Sequence, residues 1–239
     1  MIEVLNLHKK FGKVEVLKGV DLTIKTETKE GGIFAVLGPN GSGKTTLIKT
    51  ILGMVIPNKG SIQVDGKSIL KQHHYRNDID YLPQIANFPG NLTVEELINM
   101  IKYLRRKPTN EEELIKVFGL ETFLKQKLAN LSGGTRQKVN LVLTFMFDSN
   151  LIILDEPTSG LDPVSMIRLK EIIQHEKNNG KTILITSHIM SFVEEVADEI
   201  VFLLDGRIYF KGSIAVLKKQ TKQQNLEKAI ATILTEQDV

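Results

Sequence analysis

One segment of this sequence, GPNGSGKTT at residues 38–46, restricts the possible folds more than any other. It matches the pattern G-x-x-x-x-G-K-S/T and lies in the context that the pattern requires, between an apolar run at 33–37 and a stretch of helical periodicity. Its glycines permit tight turns and bring backbone amides close to phosphate oxygens. Lys44 would place a positive charge on the β and γ phosphates, and the Thr45 hydroxyl would bind Mg²⁺. The expected nucleotide-binding residues are Gly38, Pro39, Asn40, Gly41, Ser42, Gly43, Lys44, Thr45 and Thr46.

Composition indicates an ordinary globular chain. The 239 residues suit one elaborated domain or two small ones, and 41% hydrophobic with 25% charged residues excludes a disordered or low-complexity chain. No apolar stretch approaches the ~20 residues that span a bilayer, and no basic-then-apolar leader opens the sequence. The absence of cysteine excludes disulfides, thiolate zinc sites and thiol catalysis. We therefore expect a soluble, cytosolic protein.

The charge distribution gives no sign of a nucleic-acid partner. The net charge of +3 arises within residues 206–239, which hold six basic and three acidic groups, whereas a nucleic-acid binder usually carries a basic face. Lys218, Lys219 and Lys222 lie close together in this tail. A solvated helix face is the simpler interpretation of such a cluster, with anionic lipid headgroups or a protein partner as alternatives.

The pattern of apolar residues predicts an α/β fold. In the second half of the chain, strand-like runs alternate with helical periodicity, which favours a parallel sheet covered by helices on both faces. The expected strands there are 151–154, 182–185 and 200–204, and the expected helices lie near 163–178 and 189–197. Earlier in the chain, paired strands are expected at 2–7 and 20–24 and around a turn at 64–66, a helical insert at 94–147, and a small amphipathic helix in the tail.

Two acidic residues, Asp155 and Glu156, end the apolar run LIIL at 151–154. A buried strand has no structural use for paired carboxylates at its tip, although an exposed strand end that caps the next helix is an alternative interpretation. Beside a phosphate-binding loop, Asp155 is expected in the Mg²⁺ shell. Glu156 is expected to orient and polarise an attacking water molecule.

A second phosphate-binding segment is indicated by LSGGTRQK at 131–138, where Ser132, Gly133 and Gly134 lead into a helical stretch. Backbone amides at a helix N-terminus attract phosphate groups. Ser-Gly-Gly alone is a common helix start. Together with the first loop, it is explained if two copies face each other head to tail, so that each Ser132 segment completes the nucleotide site of the other copy.

In this combination and order, the motifs resemble those of ABC-transporter ATP-binding subunits over about residues 1–215. The family's Walker A loop corresponds to 38–46, its signature to 131–134, its Walker B strand to the run ending at Asp155 and Glu156, and its D-loop to 159–162. The resemblance implies a P-loop NTPase core with a RecA-like parallel sheet, an antiparallel β subdomain and a helical ABC insert. It also implies a domain at 1–215 with its helical subdomain at about 88–148, followed by a short helical tail at 216–239.

The resemblance implies roles for three more residues. Gln84, in YLPQ, matches the glutamine that senses the γ-phosphate and Mg²⁺ and joins the core to the helical insert. His188, in TSH, matches the switch histidine, and Phe11 matches the aromatic residue that stacks on adenine. Taken singly, His188 could be a structural histidine and Phe11 a core residue. The remaining histidines are expected on the surface: His8, His73, His74 and His175.

The chain departs from the family pattern at two places. Residues 25–32 make a longer turn than is usual before the Walker A strand, which predicts a lengthened surface loop. Gly160 stands in the D-loop where alanine is commoner. Neither departure affects the expected hydrolysis of ATP.

The resemblance implies an ATPase that uses ATP and Mg²⁺, works as a homodimer with a second ATPase subunit, and drives a separate integral-membrane permease. Its expected location is cytoplasmic, peripheral on the cytoplasmic face of the cell membrane. A soluble ABC-type ATPase in cluster assembly is the alternative. A P-loop GTPase is excluded, because residues 58–61 read NKGS and lack the aspartate of the guanine-reading motif N-K-x-D.

Two finer resemblances concern the type of transporter. The tail segment NLEKAI at 225–230 resembles single-cassette ATPases that pair with ABC-2-type permeases. Residues 84–93, 135–138 and 187–190 resemble the ATPase subunits that serve nitrous-oxide-reductase copper-site maturation. Cargo and direction of transport follow from no residue of this chain, because cargo selection lies in the permease.

Overall fold

The computed structural model describes residues 2–26 and 30–235, which form two β-sheets and eight α-helices. The strands are β1 (Ile2–Phe11), β2 (Val14–Ile24), β3 (Gly32–Leu37), β4 (Lys59–Val64), β5 (Lys67–Ser68), β6 (Ile79–Leu82), β7 (Leu151–Asp155), β8 (Thr182–Thr186), β9 (Glu199–Leu204) and β10 (Arg207–Ser213). The α-helices are α1 (Lys44–Ile51), α2 (Val94–Arg105), α3 (Glu111–Phe118), α4 (Gly133–Phe145), α5 (Pro163–Asn178), α6 (Met190–Val196), α7 (Ile214–Thr221) and α8 (Leu226–Thr235).

A six-stranded sheet forms the centre of the molecule, in the order β10-β9-β3-β8-β7-β6. Its strands are parallel except for β10, which pairs antiparallel with β9. Every residue of β3 and β7 is buried, as expected for parallel strands covered on both faces. The predicted α/β class with a parallel P-loop core is confirmed. Since parallel strands end at the same edge, the segments after β3, β7 and β8 begin side by side.

The second sheet is antiparallel, in the order β2-β1-β4-β5, and it confirms the expected antiparallel β subdomain. Its first two strands are longer than the predicted 2–7 and 20–24. They form a hairpin, β1 and β2, that turns at Gly12 and pairs Phe11 with Val14. The sequence does not indicate the extension of β1, because polar residues such as Lys9 and Lys10 interrupt its apolar pattern. Backbone hydrogen bonds to β2 stabilise this part of the strand.

The helical insert packs on the core sheet through one continuous apolar cluster. Thr93 begins α2 with a capping box, in which its hydroxyl accepts from the Glu96 amide at 3.2 Å and the Glu96 carboxylate accepts from the Thr93 amide at 2.8 Å. Leu97 of α2 and Phe118 of α3 are buried in the same cluster as Leu154 of β7. The insert therefore shares one apolar core with the central sheet, including the strand that carries Asp155.

The tail contains two helices, α7 and α8, where the sequence indicated one. Leu217, Leu226, Ala229 and Ile230 are buried in the same cluster as the core sheet, so the tail packs on the body. The Lys218 ammonium forms an ion pair with Glu194 of α6. Residues 236–239 of the expected tail, and 27–29 of the expected long loop, lie outside the described residues. Within the described ranges, every helix is too short or too polar to cross a membrane.

One buried ion pair connects the insert to the core sheet. The Arg105 guanidinium, at the end of α2, binds the carboxylate of Asp80 on β6. The Asp80 side chain is fully buried. Arg105 also donates to the Asn77 carbonyl at 3.0 Å and the Ser149 hydroxyl at 3.2 Å, and it stacks on the Phe147 ring. Burial raises the pKa of Asp80, and the hydrogen bond and charge of Arg105 oppose that rise.

We expect Arg105→Ala to lower the free energy of unfolding by about 3–5 kcal/mol, because it leaves the Asp80 carboxylate buried without its cation. Chemical denaturation at pH 7 measures the loss. With Arg105 absent, the folded-state pKa of Asp80 rises further above its unfolded value of ~3.9. The folded state then binds the proton more tightly, so the deficit relative to the parent protein should shrink as the pH falls.

The neighbouring pair of Lys107 and Asp78, at 3.0 Å with both side chains partly exposed, provides the control. Lys107→Ala should cost less than about 1 kcal/mol, as exposed ion pairs do. A loss at Arg105 no larger than the loss at Lys107 would contradict the anchoring role of the buried pair.

Candidate functional site

The segment 38–43 forms a tight loop between β3 and α1, as its sequence predicts. Gly38 has φ +151°, and a Cβ atom there would lie 2.0 Å from the carbonyl oxygen of Leu203 on β9. Glycine is thus required by the close approach of two backbones. The Ser42 side chain is buried, and α1 begins at Lys44 with a left-handed Gly43 before it.

A cleft of about 490 Å³ opens beside this loop and collects most of the predicted site residues. Its lining residues are Val14, Val16, Asn40, Gly41, Gly43, Lys44, Thr45, Thr46, Gln84, Asp155 and Glu156. The Lys44 ammonium donates to the loop's own carbonyl oxygens, at 2.7 Å for Gly38 and 3.1 Å for Pro39. Burial lowers the pKa of Lys44, while the charges of Glu156 and Asp155 oppose that shift. The cleft therefore brings one cation and two carboxylates together at the C-terminal edge of the sheet.

The two carboxylates at the end of β7 have different surroundings. Asp155 is 2% exposed, and its Oδ1 accepts from the Thr186 hydroxyl at 2.5 Å. Its buried Oδ2 has no hydrogen-bond partner among the residues that the structure describes. Glu156 is 7% exposed and has a left-handed backbone, with φ +54°. Its amide donates to the Thr186 hydroxyl at 3.0 Å and to the Thr186 carbonyl at 3.1 Å.

His188 follows β8 and reaches back to Glu156. A hydrogen bond of 2.7 Å joins its Nδ1 to Glu156 Oε2. Because an ionised carboxylate only accepts hydrogen bonds, Nδ1 carries the proton of this bond. The His188 side chain is otherwise largely exposed, at 70% of its surface.

Phe11 lies at the tip of the β1–β2 hairpin, outside the apolar core. Its ring is 48% exposed, and the Lys9 ammonium lies 4.8 Å from the ring centroid. Its partner across the hairpin, Val14, lines the cleft. The interpretation of Phe11 as an ordinary core residue is therefore wrong.

The signature segment takes a different position. Among the residues that the structure describes, Ser132, Gly133 and Gly134 do not line the cleft. Ser132 is exposed and begins α4, its hydroxyl accepting from the Thr135 amide at 3.1 Å. These three residues therefore lie outside the lining of their own chain's cleft.

Three contacts attach α4 to the segment that follows Glu156. The buried Gln137 side chain donates to the Pro157 carbonyl at 3.0 Å, and the Lys138 ammonium lies 2.7 Å from Asp162. The hydrogen bonds from Lys138 and Ser165 hold the pKa of Asp162 well below its usual range. In addition, the Gly160 carbonyl oxygen lies 2.6 Å from where a Cβ of Gly134 would stand, so the two backbones touch.

Sequence reasoning missed two residues that contact this site, Thr186 and Gln137. Thr186 could have been found as the polar residue at the end of the strand beside β7, because binding groups gather at the C-terminal edges of parallel strands. Gln137 carried no such signal, since its contact with Pro157 depends on how α4 lies against the core. Of the histidines expected on the surface, His73, His74 and His175 are exposed, whereas His8 is half-buried between Glu15 and Asn6.

Comparison with known proteins gives a consistent result. A sequence model of the family described as ABC transporter matches residues 17–159. The lantibiotic transport ATP-binding protein SrtF of Streptococcus pyogenes is 32% identical over 95% of this chain and 95% of its own length. The solved structure of an ATP-binding subunit of an ABC transporter is 30% identical, covers 97% of this chain and 98% of that one, and superposes with a TM-score of 0.86.

A dimeric cassette is also similar. The post-hydrolysis dimer of the ATP-binding cassette MJ0796, bound to ADP and Pi, is 26% identical over 90% of this chain and 99% of that one, with a TM-score of 0.78.

We expect Gly38→Ala to weaken ATP binding about 10- to 100-fold, which corresponds to the ~1–3 kcal/mol that overpacking costs. The added methyl group would collide with the Leu203 backbone and push the loop away from β9. Calorimetric titration with ATP measures the change.

Gly66→Ala is the matched control, because Gly66 also has a positive φ but has open space around its Cβ position. Its turn lies between β4 and β5, so ATP affinity should be unchanged. An affinity of Gly38→Ala equal to that of the control would contradict close packing between the loop and β9.

Proposed function

The chain belongs to the ABC transporter family and is an ATP-binding subunit that hydrolyses ATP, and from this premise we propose that it works as a head-to-tail homodimer driving a separate integral-membrane permease. One observation carries the dimer proposal: the cleft holds the loop and both carboxylates, whereas the signature segment lies outside it. A second copy is needed to bring the two surfaces together. Dimeric cassettes among the similar structures support this arrangement.

In this proposal the nucleotide lies in the cleft beside α1. Amides of the loop 38–46 and the Lys44 ammonium bind the phosphates, and Lys44 exchanges its bonds to the Gly38 and Pro39 carbonyls for bonds to phosphate oxygens. The exposed ring of Phe11 stacks on adenine. Its exposure and its position across from Val14 support that role.

Thr45, Gln84 and Asp155 are proposed to hold Mg²⁺. The donor set fits, since hydroxyl, amide and carboxylate oxygens are the ligands that Mg²⁺ prefers, directly or through water. The buried Asp155 Oδ2 also fits, because it has no hydrogen-bond partner within residues 2–26 and 30–235 and a buried oxygen without a partner costs free energy. When bound, Mg²⁺ would neutralise charge that develops on the phosphate groups.

Glu156 is proposed as the catalytic base. It lines the cleft, and its carboxylate can accept a proton from a water molecule that attacks the terminal phosphate. The hydrogen bond from His188 Nδ1 fixes Oε2, which leaves the other carboxylate oxygen to orient the water. Ser132, Gly133 and Gly134 of a second copy would close the site and exclude bulk solvent.

The permease is proposed to dock near Gln84 to Leu92, between the core and the helical insert. Gln84 lines the nucleotide cleft, and the next residue, Ile85, is 82% exposed. A residue that lines the nucleotide cleft is thus adjacent in the chain to a residue of the proposed docking surface. The proposed division is an ATP-binding domain at 1–215, with its helical subdomain at about 88–148, and a tail at 216–239. The subunit would lie on the cytoplasmic face of the membrane.

The transporter type is a finer proposal. Residues 225–230 resemble single-cassette ATPases that pair with ABC-2-type permeases, which supports pairing with such a permease. Residues 84–93, 135–138 and 187–190 resemble the ATPase subunits that serve copper-site maturation of nitrous-oxide reductase, and this is the first hypothesis for the transport function. SrtF, a similar protein, is a lantibiotic transport ATP-binding protein, so ATP-binding proteins similar to this chain also serve other cargo. The neighbouring genes test the hypothesis: it requires a permease gene and maturation genes of that reductase beside this one.

We expect Glu156→Gln to slow hydrolysis about 10²- to 10⁴-fold, the usual contribution of a general base. ATP binding should persist because Lys44 and Asp155 remain. The variant should then accumulate as a dimer that requires ATP, measured by size-exclusion chromatography.

Adding Ser132→Arg to that variant should abolish the ATP-dependent dimer, because a bulky cation would occupy the surface that meets the second copy's nucleotide. Ser213→Arg is the matched control, since Ser213 likewise caps a helix, α7, far along the chain from the signature. A dimer indifferent to ATP, or equally sensitive to both arginines, would overturn the head-to-tail arrangement.

Ile85→Asp should prevent co-purification with a polytopic permease from membranes while basal ATPase activity is kept, because the side chain is exposed and outside the core. Ile56→Asp is the control, an equally apolar side chain that is 75% exposed in another part of the fold. Recovery of the parent protein only from the soluble fraction, bound to cluster-assembly proteins, would instead favour the alternative of a soluble ATPase.

A further inference from the structure

We propose that Thr186 is a positioning residue for hydrolysis, whose single hydroxyl group holds both the Asp155 carboxylate and the Glu156 main chain in their working arrangement. The inference rests on the proposed roles of Asp155 and Glu156. It adds a residue that lies outside the phosphate-binding loop, the signature and the switch histidine.

The sheet brings Thr186 to this position. Asp155 and Thr186 are register partners in the parallel pairing of β7 with β8, and each is the last residue of its strand. Thr186 is completely buried, so its hydroxyl must find its partners within the protein. Both partners come from the neighbouring strand end.

The Thr186 hydroxyl donates a hydrogen bond to one residue and accepts a hydrogen bond from another. It donates its one proton to Asp155 Oδ1 at 2.5 Å, and it accepts from the Glu156 amide at 3.0 Å. A hydroxyl that donates to a charged carboxylate becomes a better acceptor, so the two bonds strengthen each other. The bond occupies Asp155 Oδ1, whereas the buried Oδ2 has no hydrogen-bond partner in the described part of the chain.

Glu156 needs such support because its backbone is left-handed, with φ +54°. Side chains other than glycine rarely adopt that conformation, and it persists where surrounding contacts fix it. The end of β8 supplies contacts at both ends of the residue: Thr186 on the amide and His188 on the carboxylate. The Thr186 carbonyl also accepts from the same amide at 3.1 Å, so removal of the hydroxyl should loosen Glu156 without unfolding the strand.

Thr186→Val tests the proposal, because valine keeps the shape and removes the hydroxyl. We expect kcat to fall about 10- to 100-fold, as expected when a hydrogen bond to a charged group is lost. The calorimetric affinity for ATP without Mg²⁺ should change less than about threefold, because Lys44 and the loop 38–46, which bind the phosphates in the proposed function, are untouched. Thr186→Ser should restore kcat to within about threefold of the parent. Thr182→Val, the same substitution at the first residue of β8, should leave kcat unchanged.

A double-mutant cycle with Glu156→Gln separates a positioning role from a general loss of structure. If Thr186 positions Glu156, Thr186→Val should cost at least about threefold less in kcat when Glu156 is already glutamine, and the loss that remains is the part that passes through Asp155. The double variant should still form the ATP-dependent dimer on size-exclusion chromatography. Should Thr186→Val fail to fold by circular dichroism, Thr186→Ala takes its place in every comparison.

Three outcomes would overturn the inference: a parental kcat in Thr186→Val, with or without a raised KM; a serine variant as slow as the valine variant; or equal losses in both backgrounds of the cycle. A parental kcat in Glu156→Gln is a different failure. It would remove the proposed catalytic base and the inference with it, whereas a parental kcat in Thr186→Val alone leaves the proposed function standing.

Discussion

The site depends on the register of three neighbouring parallel strands. Val36 of β3 pairs with Thr186 of β8, and Thr186 pairs with Asp155 of β7, so these residues form one row across the sheet. The phosphate-binding loop begins two residues after Val36 of that row. Glu156 directly follows Asp155, and His188 lies two residues after Thr186. A slip of one residue would turn each side chain to the opposite face of the sheet. The buried apolar residues of β3, β7 and β8 prevent the slip, because it would misplace their contacts on both faces.

The helical insert is connected to this row at two places. At one, the insert's Arg105 binds Asp80 of β6, an edge strand paired with β7. At the other, Gln137 of α4 donates to Pro157, one residue after Glu156. The first contact fixes the position of the insert relative to the sheet. The second links the position of α4 to that of the segment after Glu156. The signature segment at the start of α4 is therefore linked by direct contacts to the segment that follows Glu156, the proposed catalytic base, although the two serve different nucleotide sites in the proposed dimer.

The sequence was informative where a local pattern determines the structure. The glycine spacing of 38–46 and the acidic end of the run 151–154 identified the loop and both carboxylates, and alternation of apolar runs predicted the parallel sheet. The sequence was less informative where backbone pairing or tertiary contacts determine the structure. The β1–β2 hairpin extends through polar residues, because main-chain hydrogen bonds rather than side-chain burial hold it. The roles of Thr186 and Gln137 depend on strand register and on how α4 lies against the core, neither of which a linear pattern contains.

The separation of the signature segment from the cleft affects the kinetics of the isolated protein. If a chain by itself has only half of the groups around the nucleotide, hydrolysis is second order in subunit at concentrations below the dimer dissociation constant. Dilute, unassembled subunits then consume little ATP. A permease that holds two subunits side by side raises their local concentration and restores turnover. In the proposed dimer, the position of α4 would thus confine ATP use to assembled transporters.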